Sequence, residues 1–144
     1  MEKISISPAE WEIMRVVWAH HQLTSREILQ VFQHILEWKE GTIKSLINRL
    51  IQKQFLIQDT STKPYVYSAA ISEEEAIQQE LDAILSRCCT KERGKYIRYL
   101  LEQQTLSKAD CQLIQQTAQE KHTNAPESIA CQCLSGQCTC CKHH

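Results

Sequence analysis

The chain has 144 residues, a formal net charge of −1, 42% hydrophobic residues and 23% charged ones. That is the balance of an ordinary soluble protein, with room for one compact domain plus an appendage or for two small domains. A net charge so close to zero argues neither for nor against nucleic acid. The segment Met1-Glu-Lys-Ile-Ser-Ile-Ser-Pro8 has no apolar signal core and no run is long enough to span a membrane, so the expectation is a cytoplasmic protein with no membrane partner.

Three glycines and three prolines favour long helices and few turns. Ser7-Pro8-Ala9-Glu10 combines a capping Ser, Pro at the first helical position and Glu placed to complete a capping box. Trp11, Met14, Val17 and Trp18 follow at helical spacing and predict an apolar face. Thr24-Ser25-Arg26-Glu27 repeats the capping signal and opens a second helix with Ile28, Val31, Phe32 and Ile35 inward. A third helix is expected from about Gly41 to Gln54, burying Ile43, Leu46, Ile47, Leu50 and Ile51. Residues 55–59 read as a short strand, 60–64 as a turn and 65–69 as a returning strand. Three helices followed by a two-stranded ribbon make a winged helix-turn-helix.

Beyond Ser72 the acidic first turn Glu73-Glu74-Glu75 suits a helix N-terminus. Apolar spacing at Ile77, Leu81, Ile84 and Leu85, at Ile97, Leu100 and Leu101, and at Leu106, Leu113 and Ile114 predicts three more helices, the last capped by Ser107 and Asp110. Residues 122–130 read as a loose linker. The expected organisation is mainly α: a DNA-binding head over 1–70, a helical region over 71–121, and a linker with a Cys-rich metal-binding tail over 122–144.

In a helix-turn-helix the last helix of the trio lies in the major groove. With its apolar residues inward, this one offers Thr42, Lys44, Ser45, Asn48 and Arg49 outward. Lys and Arg pair with phosphate or guanine, Asn bidentately with adenine, and the hydroxyls with either phosphate or base edges. Lys39, Lys44, Arg49, Lys53 and Lys63, against Glu40 and Asp59, form a local basic excess, and Lys63 at the ribbon turn is a candidate phosphate contact. The alternative is a solvated charged face; the ribbon directly after the helix favours DNA. Trp11, Trp18 and Trp38 are expected in the core, and His20, His21 and His34 at helix ends or on the surface.

Five of the eight cysteines fall in Cys131-Gln-Cys133-Leu-Ser-Gly-Gln-Cys138-Thr-Cys140-Cys141. Two Cys-X-Cys pairs, Cys131/Cys133 and Cys138/Cys140, can face each other if Ser135-Gly136 reverses the chain. Thiolates select soft ions, and this spacing is tighter than the Cys-X2-Cys of zinc fingers, which leans towards copper or a site that exchanges Cu(I) and Zn(II). A disulfide within one Cys-X-Cys would make a strained ring, and reducing cytosol favours metal or redox use of such thiols. Cys88, Cys89 and Cys111 read as structural or incidental. Cys141, His143 and His144 lie outside the four-cysteine pattern and are not assigned as ligands. No Cys-X-X-Cys in thioredoxin-like surroundings and no catalytic constellation point to an enzyme. The alternative to a regulator is a copper or zinc buffer that works through the tail alone.

The head resembles the BlaI/MecI/CopY family of bacterial winged-helix repressors. The resemblance rests on Ile6-Ser-Pro-Ala-Glu-Trp11-Glu-Ile-Met14-Arg-Val-Val-Trp18, Trp38-Lys-Glu-Gly-Thr42-Ile-Lys-Ser-Leu-Ile-Asn-Arg49-Leu50 and Tyr65-Val-Tyr67-Ser, and spans about residues 4–120. With the tail pattern added, the chain is similar to the copper-responsive CopY branch. The resemblance implies a homodimer joined through its C-terminal helices, so that 71–121 is a dimerisation region, and two heads on a short operator palindrome. It further implies Zn(II) in the tail of the repressing form and Cu(I) as the inducer that displaces it to release copper-export genes. The family commonly has Ser or Thr after the Trp that precedes the recognition helix and often a basic residue two further on. This chain has Lys39 and Gly41 there, which weakens the expected phosphate contacts. It has no Asn-Phe dipeptide of the kind cleaved in the β-lactam branch, so derepression by a peptidase is not expected.

Overall fold

In the computed structural model, which describes residues 5–140, reciprocal capping boxes start three of the helices. Helix α1 (Pro8–His20) begins where the Ser7 hydroxyl accepts from Glu10 N–H at 3.2 Å and Glu10 Oε1 accepts from Ser7 N–H at 3.3 Å. The same box, Thr24 with Glu27, opens α2 (Ser25–Ile35). Helix α3 (Glu40–Gln52) has no such help: its N-cap is Lys39, which makes no side-chain capping bond. Its far end closes with Gln54 at φ 64°, Phe55 N–H on Leu50 C=O at 2.9 Å and Gln54 N–H on Ile51 C=O at 3.0 Å, a Schellman arrangement without the usual glycine.

Two further strands, β2 (Leu56–Asp59) and β3 (Val66–Ala69), form the expected ribbon. It is not two-stranded. A short β1 (Gln22–Thr24) between α1 and α2 pairs with the other edge of β3, giving an antiparallel sheet in the order β1-β3-β2 with Tyr67 opposite both Leu23 and Gln58. Three residues are too few to show an alternating pattern in sequence. Pairing satisfies one edge of β3 that a two-stranded ribbon would leave open.

Met1–Glu80 forms one unit and Leu81–His144 another. The core of the first joins Ile13, Met14 and Val17 of α1, Ile28, Leu29 and Phe32 of α2, and Ile43, Leu46, Ile47 and Leu50 of α3 to Leu23, Phe55, Leu56 and Tyr67. Each such side chain contributes about 1.5–3 kcal/mol by leaving water. Ile51 is partly buried, as are the three tryptophans; the side chain of Ile35 lies outside the described set. Trp38 stacks on Phe32 at 4.8 Å, Trp11 meets Trp18 edge-on at 5.5 Å, and Trp18 Nε1 donates to Ile71 C=O at 2.8 Å. These indoles are packing groups that pin α1 and the loop before α3.

The expected basic footprint loses one member. Lys53 Nζ lies 2.9 Å from Glu10 Oε1 and 3.2 Å from Ser5 C=O, so its charge is taken up by a buried carboxylate of α1. Burial alone would raise the Glu10 pKa, but hydrogen bonds from Lys53 and Ser7 outweigh it and hold the group below its ordinary 4.5.

Helix α4 (Glu73–Leu85) starts with its acidic turn. The second unit takes up the end of α4, a 3-10 turn (Thr90–Glu92), α5 (Arg93–Gln103) and α6 (Lys108–Thr123), the last capped by Ser107 and Asp110 as the sequence indicates. Neither α5 nor α6 buries a single residue. Ile84, Tyr99 and Leu113 are 56%, 58% and 63% exposed, and Leu81, Tyr96, Ile97, Leu100 and Leu101 are exposed too. No described helix is long and apolar enough to cross a membrane.

Candidate metal centre and nucleic-acid interface

The tail reverses where its sequence demands it. Gln137 N–H donates to Leu134 C=O at 3.0 Å, with Gly136 at φ 87° in the third position of the turn. A left-handed residue there is the mark of a type II turn, and glycine adopts it without a steric penalty. Leu134 N–H also donates to the Gln137 side chain at 2.8 Å, closing the loop a second time. The turn folds the two Cys-X-Cys pairs back together: Cys131 and Cys138 Sγ are 3.3 Å apart, and Cys138 and Cys140 Sγ are 3.0 Å apart. None of the described cysteines forms a disulfide.

The cluster is wider than the tail. Cys89 precedes the 3-10 turn between α4 and α5, and its Sγ lies 3.6 Å from that of Cys131 and 3.2 Å from that of Cys140. The sulfurs of Cys89, Cys131, Cys133 and Cys138 all lie within 4.8 Å of one another. Cys89, read from sequence as structural or incidental, thus lies among the thiols of the cluster. Cys131 is 42 residues away, and no spacing motif reaches across that distance. The only local signal is that a Cys-Cys-Thr run interrupts the helical pattern. Cys88 keeps to local company, its Sγ 3.3 Å from Leu85 C=O, and Cys111 is exposed on α6. Cys141, His143 and His144 lie outside the described residues. His20, His21 and His34 are exposed.

The thiols divide by acidity. Hydrogen bonds from Cys140 and Cys131, with the Cys140 N–H, bring Cys138 down to about 6. The Lys91 N–H, then Cys140, lowers Cys89. Desolvation, then the neighbouring Cys131, pushes Cys133 well up. At Cys131 the Cys133 N–H pulls downward, but the Cys138 thiol and desolvation together leave it raised. Such a cluster holds a thiolate that the remaining thiols solvate, and those protons must leave when a metal is bound. Four thiolates about 2.3 Å from one ion in a tetrahedron are about 3.8 Å from each other. The observed separations need only small adjustments, so the residues fit a soft metal ion.

The second surface is the outer side of α3. Thr42, Lys44, Ser45, Asn48 and Arg49 are all exposed, while Ile43, Leu46, Ile47 and Leu50 anchor the opposite side. Spacings of three, four and seven place Thr42, Ser45 and Arg49 on one stripe, with Lys44 and Asn48 beside it. Lys44 Nζ is 3.2 Å from Glu40 Oε1, an exposed pair that costs little to break for a phosphate. Lys63, exposed, sits in the loop joining β2 to β3. In that loop Asp59 accepts from the Ser61 hydroxyl and N–H and is thereby held below its usual pKa.

The chain is 36% identical over 135 residues to an uncharacterized 16.5 kDa protein of Latilactobacillus sakei, covering 94% of this chain and 92% of that one. It is 29% identical over 125 residues to a penicillinase repressor of Bacillus licheniformis, covering 86% of this chain and 97% of the relative. Among solved structures, the DNA-binding domain of the repressor BlaI shares 33% identity with a TM-score of 0.47, over 52% of this chain and 93% of that domain. The family model described as "Penicillinase repressor" matches residues 6–120. The chain belongs to the penicillinase repressor family, a family of transcriptional repressors rather than enzymes, and extends it with a thiol cluster able to hold a metal ion.

Proposed function

We propose that this protein is a copper-responsive transcriptional repressor of copper-export genes, acting in the cytoplasm as a homodimer on a short operator palindrome. The observation that carries the reading is a preorganised cluster of soft ligands in the same chain as a repressor-family winged helix. Thr42, Lys44, Ser45, Asn48 and Arg49 of α3 contact the operator in the major groove, and Lys63 of the wing contacts phosphate. The bare apolar sides of α5 and α6 support self-association, since large exposed apolar surface is buried by a partner more often than left in water. Cys131, Cys133, Cys138 and Cys140 supply the tail thiolates for Zn(II) in the repressing form and for Cu(I) as inducer.

The tail thiolates would hold either ion, but zinc would call on four of them and Cu(I) on only two or three. Exchange of one ion for the other would therefore rearrange the thiols. Coupling to DNA follows if the two arrangements differ in their preference for the operator-bound dimer.

The test is fluorescence anisotropy of labelled operator DNA with zinc-loaded protein, titrated anaerobically with Cu(I), with excess Zn(II) as control. Release by copper alone is the expected result. Binding that ignores copper overturns the sensing assignment. Failure to bind any family-type palindrome, with metal still held, moves the function to metal buffering.

A further inference from the structure

We propose that Cys89 is a resident zinc ligand, so that the metal ties the tail to the α4–α5 junction of its own subunit. The proposal rests on the thiol cluster being the metal-sensing site, and it enlarges that site beyond the tail motif.

Three independent features place the tail against this junction. The Cys89 sulfur belongs to the set of four that lie within 4.8 Å of one another, with Cys131, Cys133 and Cys138. Next to it, the buried Thr90 hydroxyl donates to Ala130 C=O at 2.7 Å, which fixes the backbone one residue ahead of Cys131. A hydroxyl satisfied in this way on a buried residue holds the two chain segments in register. The third feature is the cleft alongside, lined by Ser86, Arg87, Arg93, Gln132, Cys133 and Gln137 among others. Its two guanidinium groups offer positive charge beside a site that becomes anionic when four thiolates surround a divalent ion.

The chemistry favours Cys89 over an all-tail set. Cys140 is exposed, whereas Cys89 is half-buried and held by the turn that starts α5. A tetrahedral ion needs four donors. Cys89, Cys131, Cys133 and Cys138 meet that number, and each thiol proton is released to solvent as its thiolate binds. Cys140 lies 3.0 Å from Cys138 and 3.2 Å from Cys89 and could stand in for a lost donor, so Cys89→Ser is compared in a Cys140→Ser background.

The consequence is a closed loop. A metal bridging Cys89 and Cys131 encloses α5 and α6, the helices that bury nothing within one chain. The state of the metal then bears directly on the pair of helices offered for self-association, not only on the tail.

Two measurements on the full-length protein test this. In the first, Co(II) is the probe ion. In the Cys140→Ser background, Cys89→Ser should lower the sulfur-to-cobalt charge-transfer band by about a quarter, four thiolates becoming three. It should also weaken zinc binding at least about tenfold in chelator competition. In the second, thiol alkylation of the unmutated protein is read by mass spectrometry. Zinc should protect Cys89 with Cys131, Cys133 and Cys138, while Cys88 and Cys111 continue to react; this holds even if the variant folds poorly. An unchanged band and affinity on adding Cys89→Ser to that background, or Cys89 labelling at the metal-free rate in zinc-loaded protein, overturns the proposal. If Cys131→Ser and Cys133→Ser still abolish the band in that case, the tail senses metal without Cys89. If no cysteine variant alters metal binding, the metal-sensing reading falls with it.

Discussion

Helix α3 of the head and helix α6 of the second unit are similar in length, 13 and 16 residues, but they spend their apolar residues differently. Helix α3 buries Ile43, Leu46, Ile47 and Leu50 against α1, α2 and the sheet. Helix α6 begins with a better cap and buries nothing. Good local signals therefore start a helix, but only tertiary contacts make it stable. The head buries its apolar residues within one chain, whereas α5 and α6 of the second unit bury none, and under the proposed function a metal at the thiols or a second copy makes up the difference.

The sharpest way to separate the units is to remove the metal. Chelation of zinc, or changing Cys131 and Cys133 together to Ser, should abolish hydrogen-exchange protection across α5 and α6 and leave the head's melting unchanged. Structural zinc sites supply on the order of 10 kcal/mol of folding free energy. All three tryptophans, Trp11, Trp18 and Trp38, lie in the head, so indole fluorescence follows that unit alone. A drop in the fluorescence melting point on chelation would show that the head needs the metal as well.

Leu50→Ala reverses the pattern. Leu50 is fully buried, and its truncation should cost the head about 3 kcal/mol in a denaturant titration. Leu113→Ala, at 63% exposure, should shift no unfolding midpoint measured on dilute single chains by more than about 0.5 kcal/mol. It should instead weaken self-association in sedimentation equilibrium. Loss of single-chain stability in Leu113→Ala, with association intact, would mean that α6 is packed within its own subunit.

Acidity gives a third contrast. The folded pKa of Glu10 is depressed, so its contribution to head stability is fully present above its ordinary 4.5 and is lost as pH falls through the folded value. Glu10→Gln should lower head stability by about 1–2 kcal/mol at neutral pH. It should also flatten the acid limb below pH 4.5, where the unmutated head weakens as its carboxylate takes up a proton. In the second unit Cys138 sits near 6. In metal-free protein its alkylation rate should climb to half its plateau near that pH, well before Cys133, whose pKa is raised. Equal rates at both thiols across neutral pH would show that the cluster is not assembled without metal.

What the sequence made legible was local. The capping boxes at Ser7, Thr24 and Ser107 each join residues three apart, and each forms. The reversal at Gly136 and the exposed stripe of α3 follow from equally short patterns. What it hid was long-range. Strand β1 exists because it meets β3 more than forty residues later. Lys53 leaves the basic footprint because Glu10 is 43 residues away in sequence, and Cys89 joins the thiols across 42. In each case a residue's surroundings are decided by a partner that no periodicity or spacing points to.

The smallest expected effect sits at the one helix start in the head that lacks a cap. Lys39 has the extended backbone of an N-cap, φ −73° and ψ 146°, but its side chain cannot accept the N–H groups of the first turn. Serine at that position places an acceptor within reach of Thr42 N–H, as Ser7 does for Glu10 in α1. Lys39→Ser should therefore stabilise the head by about 0.5–1 kcal/mol, read as a higher denaturant midpoint at unchanged slope. It also removes a positive charge at the end of α3 that carries the proposed DNA-contacting stripe. If Lys39 contacts phosphate, operator binding by Lys39→Ser should weaken and become less salt-dependent by about one unit of log–log slope, in opposition to the stability gain. If binding strengthens instead, the missing cap, not the charge, was what limited how well α3 is held for DNA.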